Sequence, residues 1–425
     1  MNILFLSVSD QQLHPMGKYV DLHRTYDFNN WIDGFSTLTH SFFSFDYYEY
    51  FVSNGPSATE LKILRIIEEQ VIQLLILPNI YYEIGVRFLD VLRGRGVKSV
   101  LVFFDDGSRF ESTSRFYVGL CDFVITHESK HALKFYAPFH CHVNFFPCYP
   151  SVNHFNRLLA NNSDTIPDLG DVTFVGANIA DRSDFVSQLK KSGIALSVFG
   201  HGWPQGRITQ QQMLQIFRDS KISLNFIKSG AASGGKQLKA RSFEILLAGG
   251  FLLTEHDEEL LDYFEIGKDI DTFSSVGECE EKIKYYLCNP EKRNAMQARA
   301  LQKCRSVLNF EAAWCSYLNK IEYEKSTSSI HSSLDLPKSA IKTFINWNSQ
   351  ILVARLMIDR PDLALDQNKF CIRELNFLAK IYSNRVWFIF AQWLFLLPIH
   401  QGKSLLAKSA LFMVFRKRLS VYFTK

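Results

Sequence analysis

Short apolar runs without polar interruption alternate with longer segments of helical period through most of this chain. In the first half, Ile3–Val8, Ser41–Phe45, Gln73–Leu77, Ser99–Phe104, Phe123–Thr126 and His142–Phe146 predict strands, with helices at Thr59–Gln70 and Tyr82–Gly94. A run such as SVLVFF has no polar side to offer solvent, so both faces must be covered, as in a parallel sheet flanked by helices. The polar stretch Asn161–Gly170, punctuated by Pro167 and Gly170, predicts a linker. The alternation then restarts. Strands are expected at Asp171–Val175, Leu196–Phe199, Ile222–Phe226, Gly250–Thr254 and Asp269–Phe273. Helices are expected at Ser183–Lys191, Gln210–Asp219, Lys236–Ala248, Val276–Leu287 and Pro290–Val307. Such a series predicts an α/β protein with two Rossmann-like, doubly wound domains in tandem, over residues 1–160 and 171–325. A Ser-rich stretch, Ser326–Leu336, leads into a helical, basic C-terminal extension over 337–425.

Composition narrows the class without naming a chemistry. The 425 residues are 47% apolar and 21% charged, which suits a folded chain of more than one domain. A net charge of +4 gives no reason to expect a nucleic-acid partner. The eight cysteines, at 121, 141, 148, 279, 288, 304, 315 and 371, form no C-x-x-C pair, so reduced thiols are expected and a metal site is not. The opening MNILFLSVSD lacks a basic n-region and reads as a first strand, which predicts a cytoplasmic protein.

Candidate chemistry concentrates between Lys221 and Glu255. A strand leads into a loop of small residues, Ser229–Gly235, and then a helix begins near Lys236. Gly235 permits close approach of the backbone to a ligand, and a helix N-terminus offers unpaired N–H groups to an anion. Lys236, Lys239 and Arg241 would oppose the helix dipole unless an anion such as a diphosphate sits there. Glu244 lies in an apolar stretch of the same helix, so it must be paired or bond a ligand. Accepting from two ribose hydroxyls would satisfy it, and so would an ion pair with Arg241 or Lys239. Gly230 to Lys236 also spells G-x-x-x-x-G-K, but Gln237 stands where a P-loop needs Ser or Thr, which makes a P-loop NTPase the lesser alternative.

The ordered pieces FVG-x5-R (Phe174–Gly176, Arg182), V-x-G-x-G-W (Val198–Trp203), S-K-I-x-L-N-F (Ser220–Phe226), K-x-R-x-F-E-x4-G-G-F-L-L-T-E (Lys239–Glu255) and YYLCNPEKR (Tyr285–Arg293) span roughly a third of the chain. Together they resemble the C-terminal domain of the glycosyltransferase family-1-like proteins related to the spore maturation protein CgeB. That resemblance implies a GT-B fold, a nucleotide-sugar donor and a metal-independent reaction with no cofactor. It places Glu244 on the second glutamate of an E-x7-E pattern, the one that holds the ribose. The first glutamate would fall at position 236, where this chain has Lys236, so the residue beside the reacting sugar carbon and the stereochemistry stay open. A non-catalytic nucleotide- or glycan-binding member is the reading this departure favours.

Stabilising the departing diphosphate falls to Arg182, Lys236, Lys239 and Arg241, although Arg182 reads equally as a surface residue at a helix start. Gly176 and Gly200 end strands where the donor cleft should open, or simply make tight turns. Candidate bases are His14, after the first strand, and Asp105 and Asp106, at the end of SVLVFF, where a helix cap is the competing role. His127 and His131 are expected at a helix start. The aromatic cluster FFSFDYYEYF, Phe42–Phe51, predicts a half-buried strand and hairpin or an acceptor wall. After Glu374 the sequence holds eight Lys or Arg and no Asp or Glu, around the apolar run Val386–Ile399. That run is too short to span a bilayer. It suits either an anionic membrane surface, reached from the cytoplasm and fitting a lipid-linked or cell-surface glycan acceptor, or packing on protein.

Overall fold

The computed structural model describes residues 1–7, 24–38, 40–78, 83–104, 110–139, 142–160, 169–179, 181–227, 238–324 and 360–381, with isolated positions between 341 and 352. Its N-terminal sheet contains β1 (Asn2–Ser7), β2 (Ser41–Asp46), β3 (Leu74–Pro78), β4 (Lys98–Phe103), β5 (Phe123–Thr126) and β6 (His142–Phe145). The order is β2-β1-β3-β4-β5-β6, with every pairing parallel. The helices of this half are α1 (Arg24–Phe35), α2 (Tyr47–Asn54), α3 (Pro56–Glu69), α4 (Val86–Gly94), the short α5 (Arg115–Val118) and α6 (Leu133–Tyr136), and α7 (Val152–Ala160).

The uninterrupted apolar strands are explained by burial on both faces. Leu4, Leu6, Leu75, Leu77 and Leu101 face one core with Tyr47, Phe51, Ile63 and Leu89. Ile3, Phe5, Leu74, Ile76, Val100 and Val102 face the other with Trp31 and Phe35. The Phe42–Phe51 cluster is therefore a strand followed by a helix and not a hairpin. Asp46 caps α2 by accepting from the Glu49 N–H, and Tyr47, Tyr48 and Phe51 are buried core residues.

The second sheet contains β7 (Val172–Val175), β8 (Leu196–Phe199), β9 (Ile222–Asn225), β10 (Leu252–Glu255) and β11 (Asp271–Phe273), in the all-parallel order β11-β10-β9-β7-β8. Its helices are α8 (Arg182–Lys191), α9 (Gln210–Asp219), α10 (Ala240–Leu247), α11 (Val276–Cys288) and α12 (Pro290–Ser306). The chain thus forms two doubly wound, all-parallel α/β sheets in tandem.

Two later helices return to the first half. In α13 (Phe310–Tyr323), Phe310 and Trp314 pack edge-on to Phe35 and Trp31, with ring centroids 4.9 and 5.2 Å apart. Glu311 of the same helix accepts from the N–H groups of Val152 and Asn153 and from the Ser151 hydroxyl, so it caps the start of α7. In α14 (Pro361–Ile381), Phe370, Cys371, Leu375 and Leu378 enter the core beside α3 and α4. Among the described residues no helix is long and apolar enough to cross a membrane.

Candidate functional site

In the second sheet the chain moves outward from β7 in both directions, first to β8 and then to β9. In open α/β sheets the ligand crevice lies where that winding reverses, which here is at the carboxyl ends of β7 and β9. Several of the residues singled out in the sequence converge there. Gly176 and Gly200, just past β7 and β8, lie against each other. Gly200 has φ +130°, and a Cβ on it would stand 2.2 Å from the Gly176 carbonyl oxygen. The Gly176 N–H donates to Phe199 at 2.8 Å, and its carbonyl accepts from Trp203 Nε1 at 2.8 Å. Close backbone approach demands the glycine at 200, which also opens a tight turn, its carbonyl accepting from the Trp203 N–H at 3.3 Å.

Arg182 opens α8 and is not a surface residue, being only 7% exposed. Its Nη1 donates to the Ala177 carbonyl at 2.9 Å and its Nη2 to that of Phe226 at 3.3 Å. The guanidinium thus bridges the segments that follow β7 and β9, lying 5.6 Å from the Phe174 and Phe226 rings. Burial lowers its pKa from the ordinary arginine value, and the Glu255 carboxylate works in the opposite direction.

Helix α10 begins at Ala240, later than the sequence pattern suggests. Lys239 is its N-cap, with extended backbone angles, and Arg241 lies in its first turn. Arg241 Nη1 donates to the Val175 carbonyl at 2.6 Å, and the guanidinium lies 5.5 Å from the Phe217 ring. Its Nε stands 2.9 Å from Glu244 Oε2. The ion pair considered as the alternative for Glu244 therefore exists, and it gives the carboxylate a countercharge but no aligned hydrogen bond to Oε2. The approach is too poorly aligned for a hydrogen bond, so among the described residues Oε2 has no hydrogen-bond partner, in a side chain only 3% exposed. A buried carboxylate oxygen left in this state is costly. It marks a place where a donor group belongs.

Sequence reasoning passed over the polar layer beneath. Asn225, at the end of β9, donates to Ser242 Oγ and Thr254 Oγ1, both at 3.1 Å, and so ties β9, α10 and β10 together. Glu255, at the end of β10, accepts from the Ile227 N–H at 2.8 Å. Both were visible as polar residues closing otherwise apolar strand runs. From the N-terminal half, Tyr149 reaches across to Phe243, with centroids 4.7 Å apart. Lys130 pairs with Asp262 at 2.6 Å and donates its N–H to Glu259. The two halves therefore meet beside this crevice.

His127 directly follows β5 and does not start a helix. It is buried, its Nδ1 donates to the Phe146 carbonyl at 2.7 Å, and burial pushes its pKa down to about 4. Gly235, Lys236, His14, Asp105 and Asp106 lie outside the described residues, as do Gly230–Gly234 of the P-loop-like segment. Among the described residues no group of three or more His, Cys, Asp or Glu side chains is placed to hold a metal ion.

Residues 182–314, which carry α8 to α12 and the start of α13, match the family described as Glycosyl transferase-like. This portion of the chain is thus similar to a glycosyltransferase-like domain. Solved structures with a similar backbone include a sucrose-phosphate synthase from Thermosynechococcus elongatus, 10% identical, with a TM-score of 0.48 over 76% of this chain and 99% of that one. Anabaena HepE in complex with UDP is 11% identical, with a TM-score of 0.43 over 76% and 99%. TarM of S. aureus is 10% identical, with a TM-score of 0.40 over 61% and 58%. Likeness at these levels carries no function. No curated protein matches the chain.

Proposed function

We propose that the chain transfers a glycosyl group from a nucleoside-diphosphate sugar, which binds in the crevice between β7 and β9. The observation that carries this reading is the Glu244 carboxylate, buried at the crevice with Oε2 lacking a hydrogen-bond partner. Two vicinal ribose hydroxyls supply the donors such a group needs. Arg241 is committed to Val175 and Glu244, so it orients the carboxylate and is not a free diphosphate ligand. The diphosphate is assigned to Lys239 at the α10 N-terminus together with Gly235 and Lys236. Arg182 acts through the backbone, holding the segments after β7 and β9 at a fixed spacing. The sugar is a hexose, no metal or cofactor takes part, and the acceptor is a cell-surface or lipid-linked glycan that approaches from the N-terminal half. There His14, Asp105 and Asp106 are the candidate bases.

A second reading, a nucleotide- or glycan-binding protein without catalysis, is favoured by Lys236 at the position of the first glutamate. A thermal-shift and hydrolysis screen separates the two. UDP-, GDP-, ADP- and CMP-sugars would be tested with and without magnesium, alongside ATP. Stabilisation by one nucleotide sugar with slow release of the nucleoside diphosphate supports the transferase. Stabilisation without any release supports the binder, and a response confined to magnesium-ATP replaces both with the P-loop reading.

A further inference from the structure

Helix α14 is held against the N-terminal half by part-buried polar anchors on one side. Glu374 accepts from the Arg87 N–H at 2.9 Å, Arg373 reaches Glu60 at 2.7 Å, and Asp366 accepts from the Ser57 N–H at 3.1 Å. A Cβ at Gly85 would collide with the Glu374 carboxylate, so the helix sits as close to the start of α4 as backbone permits. These contacts fix which face of α14 points outward.

Along that face runs a groove of about 410 Å³ between α14 and Arg87 of α4. Ile372 and Phe377 form an apolar floor, Arg87, Lys369 and Lys380 supply cations beside Arg373, which is paired with Glu60 and Glu374, and no acidic side chain lines it among the described residues. Positions 369, 373 and 380 fall on one helical stripe, at i, i+4 and i+11. Lys369 and Lys380 are exposed and form no ion pair among the described residues. The buried carboxylates beside Arg373, Glu60 and Glu374, serve backbone N–H groups and Arg373. From Leu375 onward the sequence adds eight basic residues, two tryptophans and no acid.

We propose that this face of α14 docks on an anionic lipid bilayer, with the groove cations meeting lipid phosphates and Ile372 and Phe377 meeting the headgroup–acyl boundary. Charge complementarity over an apolar floor is what an interfacial surface needs, and the helix itself does not have to insert. The inference is independent of the sugar-transfer reading, because the groove is formed by the N-terminal half and α14 rather than by the donor crevice.

Flotation of the full chain with vesicles tests it, using equal parts phosphatidylglycerol and phosphatidylcholine against pure phosphatidylcholine. The wild type should float with the anionic vesicles only and be released by high salt. Each basic residue near such a surface contributes roughly five-fold, so Lys369→Gln with Lys380→Gln should weaken partitioning at least ten-fold. Lys369→Arg with Lys380→Arg should restore it, and an unchanged thermal melt would show that the glutamine variant is folded. The proposal is overturned if the wild type does not float, floats equally with neutral vesicles, or is matched by the glutamine variant. The last outcome would leave residues 382–425 as the binding element.

Discussion

Glu244 and Arg241 form a pair whose two members should fail in different ways. The Glu244 side chain is 3% exposed and that of Arg241 is 27% exposed. Arg241→Met would strand a buried carboxylate without its countercharge, which costs about 3–5 kcal/mol. Glu244→Gln leaves instead a partly exposed guanidinium still bonded to the Val175 carbonyl and beside an amide oxygen that can accept from it, so its cost should stay within about 1 kcal/mol. Binding should show the reverse. Two charge-assisted hydrogen bonds from ribose to Glu244 are worth about 1.5–3 kcal/mol each, and an amide can keep only one of them in weaker form. A loss of about 2–3 kcal/mol is roughly 30- to 150-fold in Kd. Urea denaturation would read the stabilities. Calorimetry would read affinity for whichever of UDP, GDP or ADP the wild type binds best. Should Glu244→Gln bind within three-fold of wild type, the carboxylate serves only Arg241, and the ribose assignment is wrong.

Gly200→Ala must adopt a φ of +130° and place its Cβ 2.2 Å from the Gly176 carbonyl. It should cost about 3 kcal/mol, seen as a lower urea midpoint, and an unchanged midpoint would mean that the strand ends do not touch. Glu311→Ala removes the cap from α7 and leaves two N–H groups and a hydroxyl without their acceptor. About 2 kcal/mol of stability should go with it, and faster hydrogen exchange at Val152 and Asn153 would localise the effect. Burial, reinforced by Glu374, raises Glu60 from 4.5 to about 7. The folded state therefore binds that proton more tightly than the unfolded state. The stability it contributes is full below pH 4.5 and is lost as pH rises through about 7. His127, pushed down from 6.5 to about 4, adds stability as pH rises through 6.5 and so partly offsets the fall, which makes the difference between wild type and Glu60→Gln the quantity that isolates Glu60. Tm should fall from pH 6.5 to 8.5 in the wild type and less in Glu60→Gln, and equal slopes would remove Glu60 as the cause.

Strand positions were legible in the sequence because burial on both faces leaves no polar interruption, and β5 and β8 begin and end where the pattern places them. The start of α10 was not. Lys236–Leu238 continue a helical pattern, but Lys239 adopts extended angles so that Arg241 can reach the end of β7, a tertiary contact that local pattern cannot register. The helix after Asp46 was missed because its aromatic run suits strand and helix equally, and the cap that decides between them is a single side chain. Glu244 was legible as a buried carboxylate in an apolar helix. Its incomplete satisfaction was not, because that depends on the angle at which Arg241 approaches. Arg182 looked peripheral from its place at a helix start, yet the topology that brings β7 beside β9 turns it into a bridge.

The central claim is that the crevice between β7 and β9 holds the nucleotide of a sugar donor. A crystal structure of the full chain, grown in EDTA with the nucleoside diphosphate that stabilises it most, tests that claim directly. The account predicts both ribose hydroxyls within hydrogen-bond distance of the Glu244 carboxylate and the diphosphate at the N-terminus of α10. A nucleotide bound elsewhere, or with its ribose turned away from Glu244, would contradict it.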